Sequence, residues 1–118
     1  MLRVNGNDLD IDPYPAEDGG NILTYNGEWF TGIAYEYFSG TDVLEHESQY
    51  INGREAGLQR EYWQNGRKRI EYYSILGGGI YKHVKKWDED GNLTYYVTYD
   101  DFGNRLRIIK HPDPNLEE

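Results

Sequence analysis

Short segments in which polar and apolar residues alternate, separated by tight-turn signals, fill most of this 118-residue sequence. Alternation with a period of two predicts β-strands whose successive side chains point to opposite faces of a sheet. Asn-Gly pairs separate alternating segments at 26–27, 52–53 and 65–66, and Asn26-Gly27 predicts a type I′ turn, in which both central residues need a positive φ. A 3.6-residue period is not sustained over three turns anywhere, so no helix is predicted.

The alternating segments predict an all-β fold: a single twisted antiparallel meander sheet of about eight strands, built from hairpin repeats. Residues 1–21 are predicted to be irregular, with a short edge strand at Leu9 and Ile11 that Pro13 and Pro15 would end. One domain is expected to span 1–118, with the hairpin repeats at 22–110 and a polar tail at 111–118. The predicted strands are 22–25, 28–30, 31–38, 43–50, 55–63, 67–74, 80–87, 93–99 and 105–109, with a break at the 77–79 glycine run.

An internal repeat underlies these strands. TGIAYEYF at 31–38 aligns with AGLQREYW at 56–63 at an offset of 25, and a weaker third copy matches Trp63 with Trp87 and Gly53 with Gly77 at an offset of 24. Each unit is one hairpin, and solitary hairpins are marginally stable in water, so the copies are expected to stack.

Aromatic residues are expected on both faces of this sheet. Alternation places Tyr35 and Tyr37 on one face with Ile33, and Glu36 and Phe38 on the other. These rings suit cross-strand packing, and Tyr and Trp on an open face are also typical binding anchors. Because a single layer cannot bury both faces, some of the rings should be exposed.

The repeat resembles the MORN-repeat variant family, whose bacterial members are often antitoxin-like. The family's unit has the shape NG…G…YYENGK, and this chain has NGEWFTGIAYEYFSG and NGREAGLQREYWQNGRK at those places. The two clear copies cover about 25–75, and the third extends the match to about 93. A looser similarity to the YD repeats of large bacterial toxins lies at 87–106. The resemblance implies a curved antiparallel sheet and a non-enzymatic, protein-binding role, often beside a toxin gene.

The net charge of −9 is concentrated in the N-terminal part of the chain. Residues 1–50 contain ten acids and one base, whereas 51–118 contain eleven of each. Nucleic acid and anionic lipid both require a basic surface, so neither is expected as a partner. The charge suits a basic protein partner, and it equally suits plain solubility.

Composition excludes several other classes. Cysteine is absent, which excludes disulfides and thiolate metal sites, and no apolar run approaches the length of a membrane span. The start, MLRVNGNDLDID, is acidic and lacks the apolar core of a signal peptide, so a cytoplasmic location is expected.

The candidate catalytic and metal-binding patterns are weak. Asp8-x-Asp10-x-Asp12 lacks the glycine and glutamate of a calcium loop, and 88–92 fails the same test. Alternation places His46 opposite both Glu45 and Glu47, which disfavours a dyad within that tripeptide. A cysteine or G-x-S-x-G nucleophile is missing, and paired glycosidase-type acids stay open. We therefore expect no enzyme activity, no metal and no cofactor.

The sequence favours an immunity protein or antitoxin that neutralises a bacterial toxin by covering its active site. Carboxylates of the acidic half would meet a basic cleft in place of an anionic substrate, and tyrosines would act as anchors. The alternative is a structural or scaffolding repeat module, with membrane association left open. The predicted partner-binding residues are Glu28, Tyr35, Glu36, Tyr37, Asp42, Glu45 and Glu47.

Overall fold

The computed structural model describes residues 2–14, 17, 19–75, 79–100 and 104–110, with the backbone alone at 107–110. Within this part the regular structure is β-strand, apart from one short 3₁₀ turn at Gly6–Asp8. The strands are β1 (Arg3–Asn5), β2 (Asp10–Ile11), β3 (Leu23–Tyr25), β4 (Glu28–Trp29), β5 (Gly32–Tyr37), β6 (Leu44–Ile51), β7 (Arg54–Tyr62), β8 (Lys68–Ser74), β9 (Ile80–Trp87), β10 (Leu93–Tyr99) and β11 (Arg105–Lys110).

The main sheet has eight strands in the order β1-β5-β6-β7-β8-β9-β10-β11. From β5 to β11 every neighbour in space is also the neighbour in sequence, and every pair is antiparallel. The prediction of an all-β antiparallel meander is therefore confirmed. Its hairpins β5–β6, β7–β8 and β9–β10 correspond to the three repeat copies.

The N-terminal part departs from the predicted single sheet. β1 adds to the edge of β5 in parallel, and β2, β3 and β4 form a separate three-stranded sheet. The pattern at 22–30 correctly predicted strands but not their sheet. The strand at β1 was missed because no turn links it to β5, and parallel pairing between distant segments leaves no local turn signal.

The turns follow the Asn-Gly signals. Asn26 and Gly27 have φ values of 52° and 82°, and Asn52 and Gly53 have 50° and 82°, so the predicted type I′ turn at Asn26-Gly27 is confirmed. Several predictions lie outside the described residues: Pro15, the first two residues of the 77–79 glycine run and the tail at 111–118. Residues 101–103, between the last two predicted strands, also lie outside them.

Cross-strand registers assign the side chains of the main sheet to two faces. One face, here the ladder face, carries the row Tyr35, Glu47, Arg60, Glu71 and Lys85. The other, here the core face, carries the row Ala34, Ser48, Gln59, Tyr72 and Val84. Tyr35 and Tyr37 share the ladder face, with ring centroids 5.5 Å apart, as the alternation predicted.

The small sheet covers one end of the core face. Phe30, which is 1% exposed, packs with Val4 and Ala34, and its ring lies between those of Tyr25 and Tyr50 at 6.3 and 5.9 Å. The backbone of Gly53 fixes this position by donating to Phe30 O and accepting from Leu23 N. At the other end of the core face, Glu36, His46 and Glu61 pair in one row and are half-buried.

Equivalent positions of the repeat touch each other at one end of the sheet. The indole Nε1 of Trp63 donates to the backbone oxygen of Trp87 at 3.1 Å, and Asn65 Nδ2 donates to that of Glu89 at 2.7 Å. Both pairs are 24 residues apart in sequence. The offset of 24 residues found in the sequence thus separates equivalent residues of consecutive hairpins, and these residues contact each other.

Candidate binding surface

A row of alternating charges crosses the ladder face. Arg3 Nη1 on β1 lies 2.7 Å from Glu47 Oε2 on β6, and Arg60 Nη1 on β7 lies 3.6 Å from Glu47 Oε1. Arg60 Nε in turn donates to Glu71 Oε2 on β8 at 2.8 Å. The backbone register places Glu47, Arg60 and Glu71 directly opposite one another on neighbouring strands. Arg3 instead reaches Glu47 across β5, with its guanidinium 4.5 Å from the ring centroid of Tyr35.

Glu71 is the most enclosed member of this charge ladder. Its side chain is 9% exposed, and it also receives Lys68 Nζ at 3.3 Å and His83 Nε2 at 2.9 Å. Burial raises the pKa of Glu71, but the hydrogen bonds from Arg60 and His83 and the charge of Lys68 outweigh it, so that the pKa falls to about 2. The carboxylate is therefore ionised at any physiological pH.

Burial and hydrogen bonds also shift the pKa values of Glu47, Arg60 and Tyr62, and the shifts favour charged Glu47 and Arg60 and neutral Tyr62. Burial raises the pKa of Glu47, but hydrogen bonds from Tyr62 and Arg3 overcome it and the net pKa is lowered. Burial, together with the hydrogen bond to Glu47, raises the pKa of the Tyr62 hydroxyl to about 12. Burial lowers the pKa of Arg60, and its bond to Glu71 more than reverses this. The carboxylates of the ladder are neutralised from within the protein.

The core face presents the opposite situation. It carries a group of carboxylates, here called the acidic patch, without a matching set of cations. Among the described residues, no lysine or arginine forms an ion pair with any of its members. The patch consists of Glu36 on β5, Glu45 on β6, and Glu55 and Glu61 on β7.

A β-bulge shapes one end of the acidic patch. The register shifts between Glu36 and Tyr37, which leaves Glu45 without a partner on β5 and turns its carboxylate toward His46. Glu45 Oε1 lies 3.5 Å from His46 Nδ1, and Glu36 Oε2 lies 3.6 Å from His46 Nε2. The prediction that alternation separates His46 from both flanking glutamates is wrong for Glu45 and holds for Glu47.

These three side chains could hold a cation. One ligand atom from each of Glu36, Glu45 and His46 lies within 4.8 Å of the others. One imidazole nitrogen and two carboxylate oxygens are ligands that zinc accepts. Histidine spacing gave no hint of this group, because it depends on a bulge and on pairing between strands.

Two tyrosines stand beside the carboxylates on β7. Burial, followed by the charge of Glu55 and a hydrogen bond to it, raises the pKa of Tyr50 to about 12. Burial and the charges of Glu55 and Glu61 raise the pKa of Tyr72. Both hydroxyls therefore stay protonated, and they sense the negative potential of the acidic patch.

The structure divides the predicted partner-binding residues among separate regions. Glu36 and Glu45 meet at His46 on the core face, whereas Tyr35 and Tyr37 pack together on the ladder face. Glu47 belongs to the charge ladder. Glu28 is exposed in the small sheet, and Asp42 is exposed in the β5–β6 turn. The sequence-based prediction did not include Glu55 and Glu61. It chose residues from the acidic N-terminal half, and the sequence alone does not show which face of the sheet lacks cations.

Basic side chains lie over aromatic rings farther along the sheet. The Nζ atoms of Lys82, Lys85 and Lys86 are 4.5, 5.2 and 5.1 Å from the ring centroids of Tyr73, Tyr96 and Tyr95, respectively. Such cation–π contacts cover the rings with the long lysine side chains. The basic residues of β9 are thus engaged with the protein's own aromatic surface.

Comparison with family models, with curated proteins and with solved structures returned no match. Among the described residues, no helix has the length and apolar character that crossing a membrane requires.

Proposed function

We propose that this protein binds a basic protein surface through the acidic patch and acts as a non-enzymatic immunity protein or antitoxin. The partner would be a bacterial toxin whose active-site cleft is basic. The resemblance to MORN-repeat variants motivates the class of function, and the charge distribution motivates the surface.

One observation carries the proposal. Glu36, Glu45 and Glu61 lie on the core face away from the small sheet, Glu55 is exposed beside it, and in the described part of the chain none of the four has a lysine or arginine partner. Glu47 and Glu71 on the opposite face show that this fold can neutralise its carboxylates. Carboxylates left unneutralised attract a partner of opposite charge and speed its association.

The mechanism is steric and electrostatic. The patch would dock into the cleft with its carboxylates at the positions that an anionic substrate uses, and Tyr50 and Tyr72 would supply rigid contact area beside them. The neutral ladder face would point away from the toxin. Inhibition then requires no chemistry from this protein and scales with the affinity of the complex.

Growth rescue tests this proposal. Each protein encoded next to this gene is expressed in a bacterial host with and without this chain, and we expect one of them to be toxic alone and tolerated with it. Glu36→Lys combined with Glu45→Lys should abolish the rescue and raise the Kd of the complex at least about tenfold. Glu47 is left unchanged, because its substitution would break the charge ladder.

The matched control reverses two exposed acids elsewhere, Glu89→Lys with Asp90→Lys in the β9–β10 turn. This pair makes the same change in net charge and should preserve rescue. The proposal fails if no neighbouring gene product is neutralised, or if both double variants reduce affinity equally.

A scaffolding module at a membrane surface is the second candidate. Its basic residues would be Lys82, Lys85 and Lys86 on β9, whose ammonium groups would have to leave their tyrosine rings to meet anionic headgroups. Co-sedimentation with phosphatidylserine vesicles separates the two functions, because an immunity protein should stay in the supernatant. Sedimentation that added salt abolishes would favour the scaffold.

A further inference from the structure

One row of side chains crosses the core face at the end away from the small sheet, and the sign of its charge changes halfway along. Each member pairs with the next one on neighbouring strands from β5 to β10, and the backbone register continues to Lys110 on β11. The row, here called the end row, consists of Glu36, His46, Glu61, Ile70, Lys86 and Tyr95. Carboxylates therefore stand on one side of Ile70 and a lysine on the other.

The end row is more accessible than the row beside it. Gln59 and Val97 in that neighbouring row are 2% and 0% exposed, because this chain covers them itself. In the end row Lys86 is exposed and the other members are half-buried. Within the part of the chain that the structure describes, Glu61 forms no ion pair, and Lys86 Nζ lies 5.1 Å from the ring centroid of Tyr95. Both charges are therefore available to an opposite charge from outside.

A two-fold axis along β8 makes the end row complementary to itself. β8 is the middle strand of the meander, with β5–β7 on one side and β9–β11 on the other. Half a turn about an axis parallel to β8 brings the core faces of two copies together, keeps their strands parallel and exchanges the two sides of the sheet. Ile70 then faces Ile70 of the second copy, and Glu61 faces Lys86 of that copy. His46 likewise faces its Tyr95, so the row meets the requirement of an isologous interface.

We propose that two copies of this chain form a face-to-face dimer through the end row. Charge favours a second copy as the occupant, because residues 1–50 hold ten acids and one base whereas 51–118 hold eleven of each. The axis places β5 and β6 of each copy, from the acidic half, over β10 and β11 of the other, from the balanced half. The second copy also provides the opposing layer that a single sheet needs to cover its face.

The interface is small, so the dimer is weak. The small sheet occupies the other end of the core face, which limits the contact to the end row and the turns beside it. Six strand spacings of about 4.8 Å make the row about 29 Å long, and one row on each copy buries less than the roughly 1,000 Å² expected of a stable interface. We expect a Kd between about 10 µM and about 1 mM, which leaves the protein monomeric in dilute solution.

The dimer goes beyond the proposed function and does not rest on it. Glu36 and Glu61 belong to the acidic patch as well as to the end row, so a second copy and a basic partner compete for them. A partner that binds more tightly displaces the second copy, and the weak dimer covers the patch only in the partner's absence.

Exchange of charges across the axis tests the dimer. Sedimentation velocity of the unchanged protein up to about 1 mM should show a concentration-dependent dimer, in salt of about 0.15 M that screens the net repulsion between copies. Glu61→Lys and Lys86→Glu should each raise the Kd at least about tenfold, because each variant places like charges opposite one another twice. An equimolar mixture of the two variants should restore the dimer, because both contacts then join opposite charges.

Glu89→Lys and Arg105→Glu are the matched controls, since they make the same changes in net charge at exposed positions away from the end row. Each should self-associate as the unchanged protein does. If circular dichroism shows that a reversed charge unfolds the chain, Glu61→Gln and Lys86→Gln replace it, and each should raise the Kd about fivefold. An unchanged protein that stays monomeric to about 1 mM, a mixture of folded end-row variants that stays monomeric, or controls that behave as the end-row variants do would overturn the proposal.

The two proposals fail in different ways. If a toxin is neutralised and the unchanged protein does not self-associate, the dimer is wrong and the proposed function stands. If the charge exchange restores the dimer and no neighbouring gene product is neutralised, the dimer stands and the immunity function is wrong.

Discussion

At the scale of single residues, the charge ladder shows why a polar sequence can hold this sheet together. Arg3, Glu47, Arg60 and Glu71 alternate in sign across the sheet, so that each inner carboxylate has a cation on either side. An isolated surface ion pair contributes about 0–1 kcal/mol, whereas partly buried charges joined by hydrogen bonds contribute more and cost more to break. Glu71 is the member for which this matters most.

We predict that Glu71→Gln lowers the free energy of unfolding at pH 7 by about 2 kcal/mol. The lowering of the pKa from 4.5 to about 2 corresponds to roughly 3 kcal/mol, and solvent screening reduces this. Because the folded pKa lies below the unfolded value, the stabilisation is fully present above pH 4.5 and disappears as the pH falls toward 2. Urea denaturation at a series of pH values measures both effects.

The exposed Glu89 provides the control, and Glu89→Gln should leave the urea midpoint unchanged within experimental scatter. A Glu71→Gln variant as stable as the unchanged protein at pH 7 would contradict the ladder's role. So would a stability difference that persists undiminished at pH 2, since the native carboxylate should by then be about half protonated and the carboxylate of the unfolded chain almost fully so.

At the scale of elements, two turns of the same type differ in their contacts with the rest of the protein. Asn26-Gly27 closes the β3–β4 hairpin, and Asn52-Gly53 closes β6–β7, with a φ of 82° at both glycines. A Cβ on Gly27 would meet nothing within 4 Å, whereas one on Gly53 would lie 2.7 Å from Leu23 O. The second turn therefore also packs directly against β3 of the small sheet.

This pair of glycines gives a matched prediction. Gly27→Ala should cost about 1 kcal/mol, because alanine is strained at positive φ. Gly53→Ala carries the same strain and also displaces β3, so we expect a total loss of about 2–4 kcal/mol. Urea denaturation of both variants measures the difference, and equal losses would show that the contact between Gly53 and β3 contributes nothing.

The same elements show how far the sequence alone could go. Turns and alternation correctly predicted the meander, because its hairpins have local turn signals, which are Asn-Gly or Asp-Gly in β6–β7, β7–β8 and β9–β10 and Ser39-Gly40 in β5–β6. They did not predict the parallel β1 or the separate small sheet, whose positions depend on contacts between distant segments such as Leu23 with Gly53. The acidic patch was half predicted: Glu36 and Glu45 were chosen for their charge, while Glu55 and Glu61 needed the cross-strand register.

At the scale of the whole molecule, the fold is flat and open. Its extents are 48 × 38 × 23 Å and its radius of gyration is 15.8 Å, against about 13–14 Å for a compact chain of this length. A single layer buries little apolar surface, and lysines lying over tyrosines partly replace the missing second layer. The two faces differ in charge, because the ladder face is internally neutralised and the acidic patch is not.

This asymmetry predicts that the acidic patch weakens the fold. Repulsion among Glu36, Glu45, Glu55 and Glu61 opposes folding, since the unfolded chain holds these charges farther apart. Glu55→Gln with Glu61→Gln should therefore raise the free energy of unfolding by about 1 kcal/mol at low salt, and it keeps an acceptor for the Tyr50 hydroxyl. The sign is opposite to that for Glu71→Gln, although all three substitutions remove one carboxylate charge.

Salt distinguishes repulsion from other causes of stabilisation. Urea denaturation in low and high sodium chloride should show that salt stabilises the unchanged protein more than the Glu55→Gln, Glu61→Gln variant. Salt screens the repulsion among the carboxylates, and the variant has less of this repulsion to screen. A variant that is less stable than the unchanged protein, or a gain that is equal at both salt concentrations, would contradict this. A gain in stability coupled to weaker partner binding is the trade-off expected when a binding surface retains charges that folding alone would not favour.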